Sequence, residues 1–307
     1  MIRRLLLPVL SVVAGIFLLW YAFVPVMNMP WAVGQAARAG LEVSVPEGQP
    51  ARDVSGLVLT LRNPALIPET YGQERPVLPA PHQVFAELWD TTVEKRPTSK
   101  RSLIYHGTVT LSVTLAGFAF GAVLGTLLAI GIVYNRAMDR SVMPWVIASQ
   151  AIPILAIAPM IIVVMASVGL KGFVPKAIIA TYLSFFPVVV GMVKGLRSPS
   201  PIQRDQMRTW NASATQEFWR LRLPSSVPYL FTSLKVAVAA SLVGTIVGEL
   251  PTGASAGLGA RLLTGSYYGQ TIQIWSALMA AAVLAALLVA SVGLVSRLVE
   301  RQMGFVR

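Results

Sequence analysis

Few residues in this chain could perform covalent chemistry, and their spacing argues against most of it. There are no cysteines, so disulfides, thiolate metal sites and cysteine nucleophiles are excluded. His82 and His106 are the only imidazoles, and neither has a carboxylate or second histidine at ligand spacing. A lone histidine of this kind is expected to be a satisfied polar residue. No GxxxxGK[ST] occurs, so the chain has no P-loop with which to hydrolyse a nucleotide. Catalytic residues and bound metal are therefore both expected to be none.

What remains is a mechanical kind of chemistry. The stretch Ser200–Pro224 is a polar, arginine-rich interruption in an apolar half-chain. Ser200-Pro201-Ile202-Gln203 carries the N-cap, N1 proline and N3 glutamine of a helix start. That helix is expected to end near Trp210, with Asn211 as the left-handed residue after it. Ser213-Ala-Thr-Gln216 forms a second capping box, opening a helix that carries Phe218, Trp219 and Leu221 toward Pro224. Two short helices joined by a tight turn can transmit a rigid push from a soluble partner, which a disordered loop cannot. An amphipathic element resting on anionic lipid would use the same arginines.

The segments flanking this stretch are membrane-like. Of 307 residues, 55% are hydrophobic and 12% charged, about half the charge of a soluble domain. The net charge of +12 has its source in short basic loops between apolar runs, and no basic face interleaved with aromatics suggests nucleic acid. Leu5–Met29 runs without a charge and is long enough to span a bilayer behind Arg3 and Arg4. A cleaved signal peptide, cut near Gly34-Gln35-Ala36, is the disfavoured alternative because the apolar run is too long. Further spans are expected at Gly107–Asn135, Ser141–Leu170, Ala177–Val193, Val227–Glu249 and Ile272–Ser296. The expected fold is all-α, with about six transmembrane helices.

Between the first two spans, 30–104 holds eight basic and eight acidic residues and reads as an external segment. Within it, His82–Glu94 is expected to be a short amphipathic helix with Val84, Phe85, Leu88 and Val93 on its apolar side. Asn135–Arg140 reads as an inner loop and Leu250–Thr271 as a Gly-rich outer segment. The proposed inner loops and tails hold thirteen Lys/Arg and four Asp/Glu, which places both termini in the cytoplasm. The domain division is 1–29 as an N-terminal transmembrane helix, 30–105 as an external segment and 106–307 as a core with five spans. That core contains the cytoplasmic loop 194–224.

Glycines at four-residue intervals mark close helix contacts: Gly117, Gly121 and Gly125 in the second span, Gly244 and Gly248 in the fifth. The third span carries Pro144, Pro153 and Pro159 and is expected to be irregular. Ser149, Gln150, Thr181, Tyr182, Ser184 and Thr245 are candidates to line a pathway. Lys235 and Glu249 sit near the two ends of the fifth span, about 21 Å apart at the α-helical rise, so they cannot pair within it.

The loop resembles the EAA motif of binding-protein-dependent ABC transporter permeases, EAA-x3-G-x9-I-x-LP. The register falls on Asp205-Gln206-Met207, Asn211, Leu221 and Leu223-Pro224, with Asp for Glu, Gln-Met for Ala-Ala, Asn for Gly and Leu for Ile. The run Gln150 to Pro159, Lys176 with Phe185-Phe186-Pro187, and Glu249 with Gly253, Gly257 and Gly259 are similar to the nitrate/sulfonate/taurine-type branch. The resemblance covers about two-thirds of the chain, from His106 onward, and has no counterpart for 30–75. It implies a type I ABC importer permease in a bacterial inner membrane, paired with a second, identical copy. Two ATP-binding subunits, which would bind ATP and Mg, would grip the loop, and a periplasmic solute-binding protein would deliver the solute. No cofactor is expected in the chain itself. An ion-gradient-driven secondary transporter is the alternative, disfavoured because Lys235 and Glu249 lie near the membrane edges rather than its middle.

Overall fold

The computed structural model describes residues 2–46, 49–251 and 254–304. Gly253, in the stretch similar to the nitrate/sulfonate/taurine-type branch, lies outside the described residues. Among the described residues there is no β-strand. The helices are α1 (Ile2–Arg38), α2 (Gly56–Arg62), α3 (Pro81–Trp89), α4 (Leu103–Tyr134), α5 (Arg136–Ser149) and α6 (Ile154–Ser167). They continue with α7 (Phe173–Leu196), α8 (Pro201–Thr209), α9 (Ala214–Glu217), α10 (Leu223–Glu249), α11 (Leu258–Tyr267) and α12 (Thr271–Gln302). Five stretches are long and apolar enough to cross a bilayer: 7–38, 103–134, 173–196, 214–249 and 271–302. A sixth is the pair α5–α6, bent by 99° at the break.

The chain divides into two compact units, residues 1–103 with 261–279, and residues 104–260 with 280–307. The first helix and the segment after it are thus one unit rather than two divisions. α1 continues to Arg38, through Gly34-Gln35-Ala36 and well beyond Met29. Its last turns pack Met29, Ala32 and Val33 against Val54 and Leu59, a small apolar core of the segment's own. Asn28 is fully buried beside that core. Its amide donates to the carbonyls of Leu78 (2.8 Å) and Thr70 (3.1 Å), while its Oδ1 accepts from the Leu78 N–H (3.0 Å). A buried amide satisfied on both sides fixes the returning chain, as a buried polar group must be paired. α3 forms where an amphipathic helix was expected and passes into a π-helical turn at Asp90–Glu94. Val84 is buried, but Phe85 and Val93 stay exposed, so the apolar side is narrower than the pattern implied. Phe85 instead stacks on Phe17, with ring centroids 6.1 Å apart. His82 lies against Tyr21, whose hydroxyl is 3.3 Å from its Nδ1.

In the second unit α7 is the central helix, packed along its length against α10. A Cβ on Gly117 would stand 2.3 Å from Ala180 Cβ, one on Gly121 2.0 Å from Ser184 Oγ, and one on Gly125 2.7 Å from the Phe185 carbonyl. From the opposite side, a Cβ on Gly244 would stand 2.9 Å from Ala180 Cα, and one on Gly248 3.3 Å from Lys176 Cα. Both glycine ridges therefore close on α7, which lets three backbones approach where side chains would hold them apart. Lower in the same bundle Val188, Val189, Met192 and Leu196 form the buried core with Ala129, Ile132 and Ala237.

One expectation needs correction. Asn135–Arg140 is not a loop, because the Asn135 side chain accepts from the N–H groups of Ala137 and Met138 and caps α5 there. The third span is irregular as expected: it is two helices, since Pro153 can neither continue the ladder nor leave Ile152 free to be helical. Within the Gly-rich segment 250–271, α11 occupies Leu258–Tyr267.

Internal contacts of the first unit bring distant parts of the chain together. Glu87 precedes α4 and Arg261 follows α10, yet they stand 3.7 Å apart. Trp20 and Trp275 likewise approach to 4.9 Å between ring centroids. By length and composition the chain has about six apolar spans, with the bent pair α5–α6 counted as one.

Candidate functional site

The segment 200–224 is built as its capping residues dictate. Ser200 Oγ accepts from the Gln203 N–H (3.3 Å) and Gln203 Oε1 accepts from the Ser200 N–H (2.9 Å). Ser213 and Gln216 repeat the arrangement with distances of 3.3 and 2.9 Å. Asn211 adopts φ 55°, the one non-glycine residue with positive φ among the described residues. Asparagine tolerates that conformation better than other side chains, and it ends α8 within two residues.

The second helix of the segment is not a separate short piece. α9 passes through a π-helical turn at Phe218–Arg222 directly into α10, giving one helix from Ala214 to Glu249. The Leu223 N–H bonds the Phe218 carbonyl, five residues back. This wide turn falls just before Pro224, which has no N–H to continue a regular ladder. A push on α8 therefore acts through the Asn211 turn on a helix that runs straight into the membrane.

No residue of α8 is buried. Ile202, Trp210 and Trp219 are exposed, and the α8 charges Asp205 and Arg208 pair only with each other, at 3.0 Å. Exposed aromatics in a structured polar element mark an interaction surface rather than a packed core. Gln206 is exposed and Met207 half-buried on the same helix, while Leu221, Leu223 and Pro224 are half-buried at the junction with α10.

Arg222 anchors the junction. Its Nε is 2.8 Å from Glu217 Oε1, its Nη1 donates to the Leu196 carbonyl (3.3 Å), and its guanidinium lies 5.6 Å from the Tyr134 ring centroid. The ends of α4 and α7 are thus tied to the root of α10 by one side chain. Nearby, Arg197 pairs with Asp139 at 2.9 Å, linking the end of α7 to the start of α5. In sequence Arg222 is one of several arginines of the stretch 200–224, and its position immediately before Leu223-Pro224 was the available signal.

The proposed pathway residues separate into two groups. Ser149, Gln150 and Tyr182 converge at the break between α5 and α6, where the Tyr182 hydroxyl donates to the Ser149 carbonyl. Gln150 is exposed there. Thr181 is half-buried and bonds back to the Ala177 carbonyl at 2.8 Å. Ser184 and Thr245, in contrast, are fully buried in helix seams. Ser184 donates to the Gly117 carbonyl (3.1 Å), and Thr245 donates to Ser241 O (3.0 Å) while accepting from Thr114 (3.1 Å). Their hydroxyls serve the close packing that the glycines permit.

Glu249 also occupies an environment the sequence did not reveal. It is fully buried at the end of α10, where Thr110 Oγ1 lies 2.9 and 3.0 Å from its two carboxylate oxygens. The Gly259 N–H donates to it at 2.8 Å, the Leu258 N–H reaches Thr110 Oγ1 at 2.9 Å, and the Gly257 N–H reaches His106 Nδ1 at 3.0 Å. Gly257 has φ 121°, and a Cβ there would stand 2.2 Å from the carboxylate carbon. Two polar residues one turn apart on α4 thus clamp the backbone leading into α11. His106 and Thr110 share a helix face by their i, i+4 spacing, but nothing in sequence linked them to a glycine turn about 150 residues away.

A helical chain with about six apolar spans and an exposed, capped helix between two of them has the architecture of a multi-pass membrane subunit. The family described as binding-protein-dependent transport system inner membrane component matches residues 121–305, and the chain belongs to it. Among its relatives, the formylaminopyrimidine transport permease protein ThiX of Halalkalibacterium halodurans is 32% identical over 183 residues, 60% of this chain and 68% of that protein. The riboflavin transport system permease protein RibX of Chloroflexus aurantiacus is 29% identical, covering 73% and 80%. The nitrate import permease protein NrtB of Leptolyngbya laminosa is 23% identical, covering 70% and 77%. A chain of the MetNI methionine ABC transporter, solved in inward-facing conformations, shares the fold with a TM-score of 0.57 at 18% identity, covering 64% of this chain and 95% of that one. This protein is an ABC importer permease, and α1 to α3 precede the region matched by its family.

Proposed function

We propose that α8 is the coupling helix of this permease and that ATP-binding subunits grip it through Asp205, Gln206 and Met207. The observation that carries this reading is the capped, wholly unburied α8, joined through Asn211 to a helix continuous with α10. ATP and Mg are bound by those subunits, whose closure on ATP draws the coupling helices of two permease copies together. Arg222 passes the displacement to α4, α7 and α10 at once. In this reading the face carrying 200–217, with both termini, is cytoplasmic, and residues 30–103 face the external side of a bacterial inner membrane. A solute-binding protein delivers the solute there. The basic bias of the 200–217 side supports that orientation.

The test is reconstitution of the chain with the ATPase and solute-binding protein encoded beside it. Uptake into vesicles should require internal ATP and persist when ion gradients are collapsed. Uptake driven by an ion gradient after ATP depletion would instead support a secondary transporter.

A further inference from the structure

The first unit carries a polar cleft of about 620 Å³ outside the coupling segment and the Glu249 clamp. Its walls come from the segment before α4 and from α11 and the start of α12, so part of it precedes the region matched by the family. Arg261 projects into it. The side chain is only 16% exposed, its Nε is buried without a hydrogen-bond partner, and its Nη2 stands 3.7 Å from Glu87, too far for a hydrogen bond. A guanidinium carries five donors in a fixed fork, and burial with those donors unmet is unfavourable unless a partner arrives.

The other charges of the cleft leave room for such a partner. Asp90 and Lys95 satisfy each other at 2.8 Å. Arg101 is exposed at the rim and has no carboxylate within 4.0 Å among the described residues. Three cations thus face two carboxylates, an excess that a single carboxylate neutralises. The exposed Tyr268 hydroxyl and the Gln273 amide, which also donates to the Arg261 carbonyl at 3.1 Å, complete the polar lining.

From this geometry we infer that the cleft is a docking socket for one acidic side chain of the external solute-binding protein, held between Arg101 and Arg261. The inference rests on the importer reading, which supplies a soluble partner on this side of the membrane. Residues 87–101 and 261–273 line one cleft of the first unit. A planar carboxylate suits an arginine fork, and an excess of one positive charge would steer an acidic surface into place.

The experiment uses the full transporter in lipid nanodiscs, with the solute-binding protein encoded beside this chain as the probe, and measures its affinity at low and physiological salt. Arg101→Glu, an exposed change that keeps the fold, should weaken binding at least tenfold, and Arg261→Gln should do likewise. A scan reversing each surface Asp and Glu of the binding protein to Arg should then find one variant that recovers at least fivefold on Arg101→Glu. Binding of Arg101→Glu within twofold of the unaltered chain, or no reversal that recovers it, overturns the socket alone. Failure of the unaltered chain to bind its partner at all overturns the importer reading and the socket with it.

Discussion

Thr110 and Glu249, 139 positions apart, share a buried hydrogen bond that ties the start of α4 to the end of α10. The same hydroxyl oxygen accepts the Leu258 N–H, so one side chain serves the carboxylate and the turn that covers it. Removing it should leave the Leu258 N–H and Glu249 Oε1 unpaired, with only the Gly259 N–H still on the carboxylate, at a cost of about 1–3 kcal/mol. Thr110→Val is therefore expected to lower the melting temperature in detergent, whereas Thr110→Ser should retain it. Because the chain has no cysteine, Ala260→Cys, at a buried position beside the turn, can report local opening. Its maleimide labelling should speed up in the Thr110→Val background; an unchanged rate would mean that the turn is held by something else.

The glycine seam makes a second, sharper demand. A Cβ on Gly121 would meet Ser184 Oγ at 2.0 Å, with Ser184 Cβ at 3.0 Å and the Phe185 backbone nitrogen at 3.1 Å behind it. Gly121→Ala should destabilise the bundle by about 1–3 kcal/mol through overpacking, and Gly121→Leu should prevent accumulation in the membrane. At Gly15, by contrast, a Cβ would meet nothing within 4 Å, and Gly15→Ala should be neutral or slightly stabilising. Equal melting temperatures for the Ala variants at 121 and 15 would contradict the packing account.

Much of this arrangement was legible in advance. The four-residue glycine spacing pointed to close helix contacts, and the two capping boxes defined α8 and the start of α9 because cap chemistry is local. Other features were not legible because they depend on distant partners. Nothing near Glu249 in sequence names His106 or Thr110, and nothing near Ser184 or Thr245 says that a glycine ridge will cover them. The continuity of α9 with α10 was hidden for a different reason. Pro224 reads as a helix stop, and only a π-helical turn placed just before it lets the helix pass. Likewise, the apolar pattern of 141–170 could not reveal the 99° bend between α5 and α6.

Topology gives a third prediction. Single cysteines at Thr98 and Tyr268 should react with an impermeant maleimide from the same side of the membrane, and one at Thr209 only from the other. Labelling of Thr98→Cys and Tyr268→Cys from opposite sides would mean that α5–α6 does not cross.

The Asn211 turn supplies a fourth. At φ 55° a β-branched side chain is strained by roughly 1–2 kcal/mol, while glycine is not. Asn211→Gly should keep solute-stimulated ATPase activity, and Asn211→Val should reduce it several-fold with the transporter still assembled. Similar activities for the two would show that the turn's conformation does not matter to coupling.

The central claim is that α8 transmits ATP-driven motion, and the double variant Asp205→Arg with Met207→Asp tests it most directly. Solute uptake and ATPase activity should be measured together in vesicles holding the complete transporter. The account predicts that the variant still reaches the membrane at normal levels but loses uptake, with its ATPase no longer responding to the loaded binding protein. Normal uptake by that variant would contradict the assignment of α8 as the coupling helix.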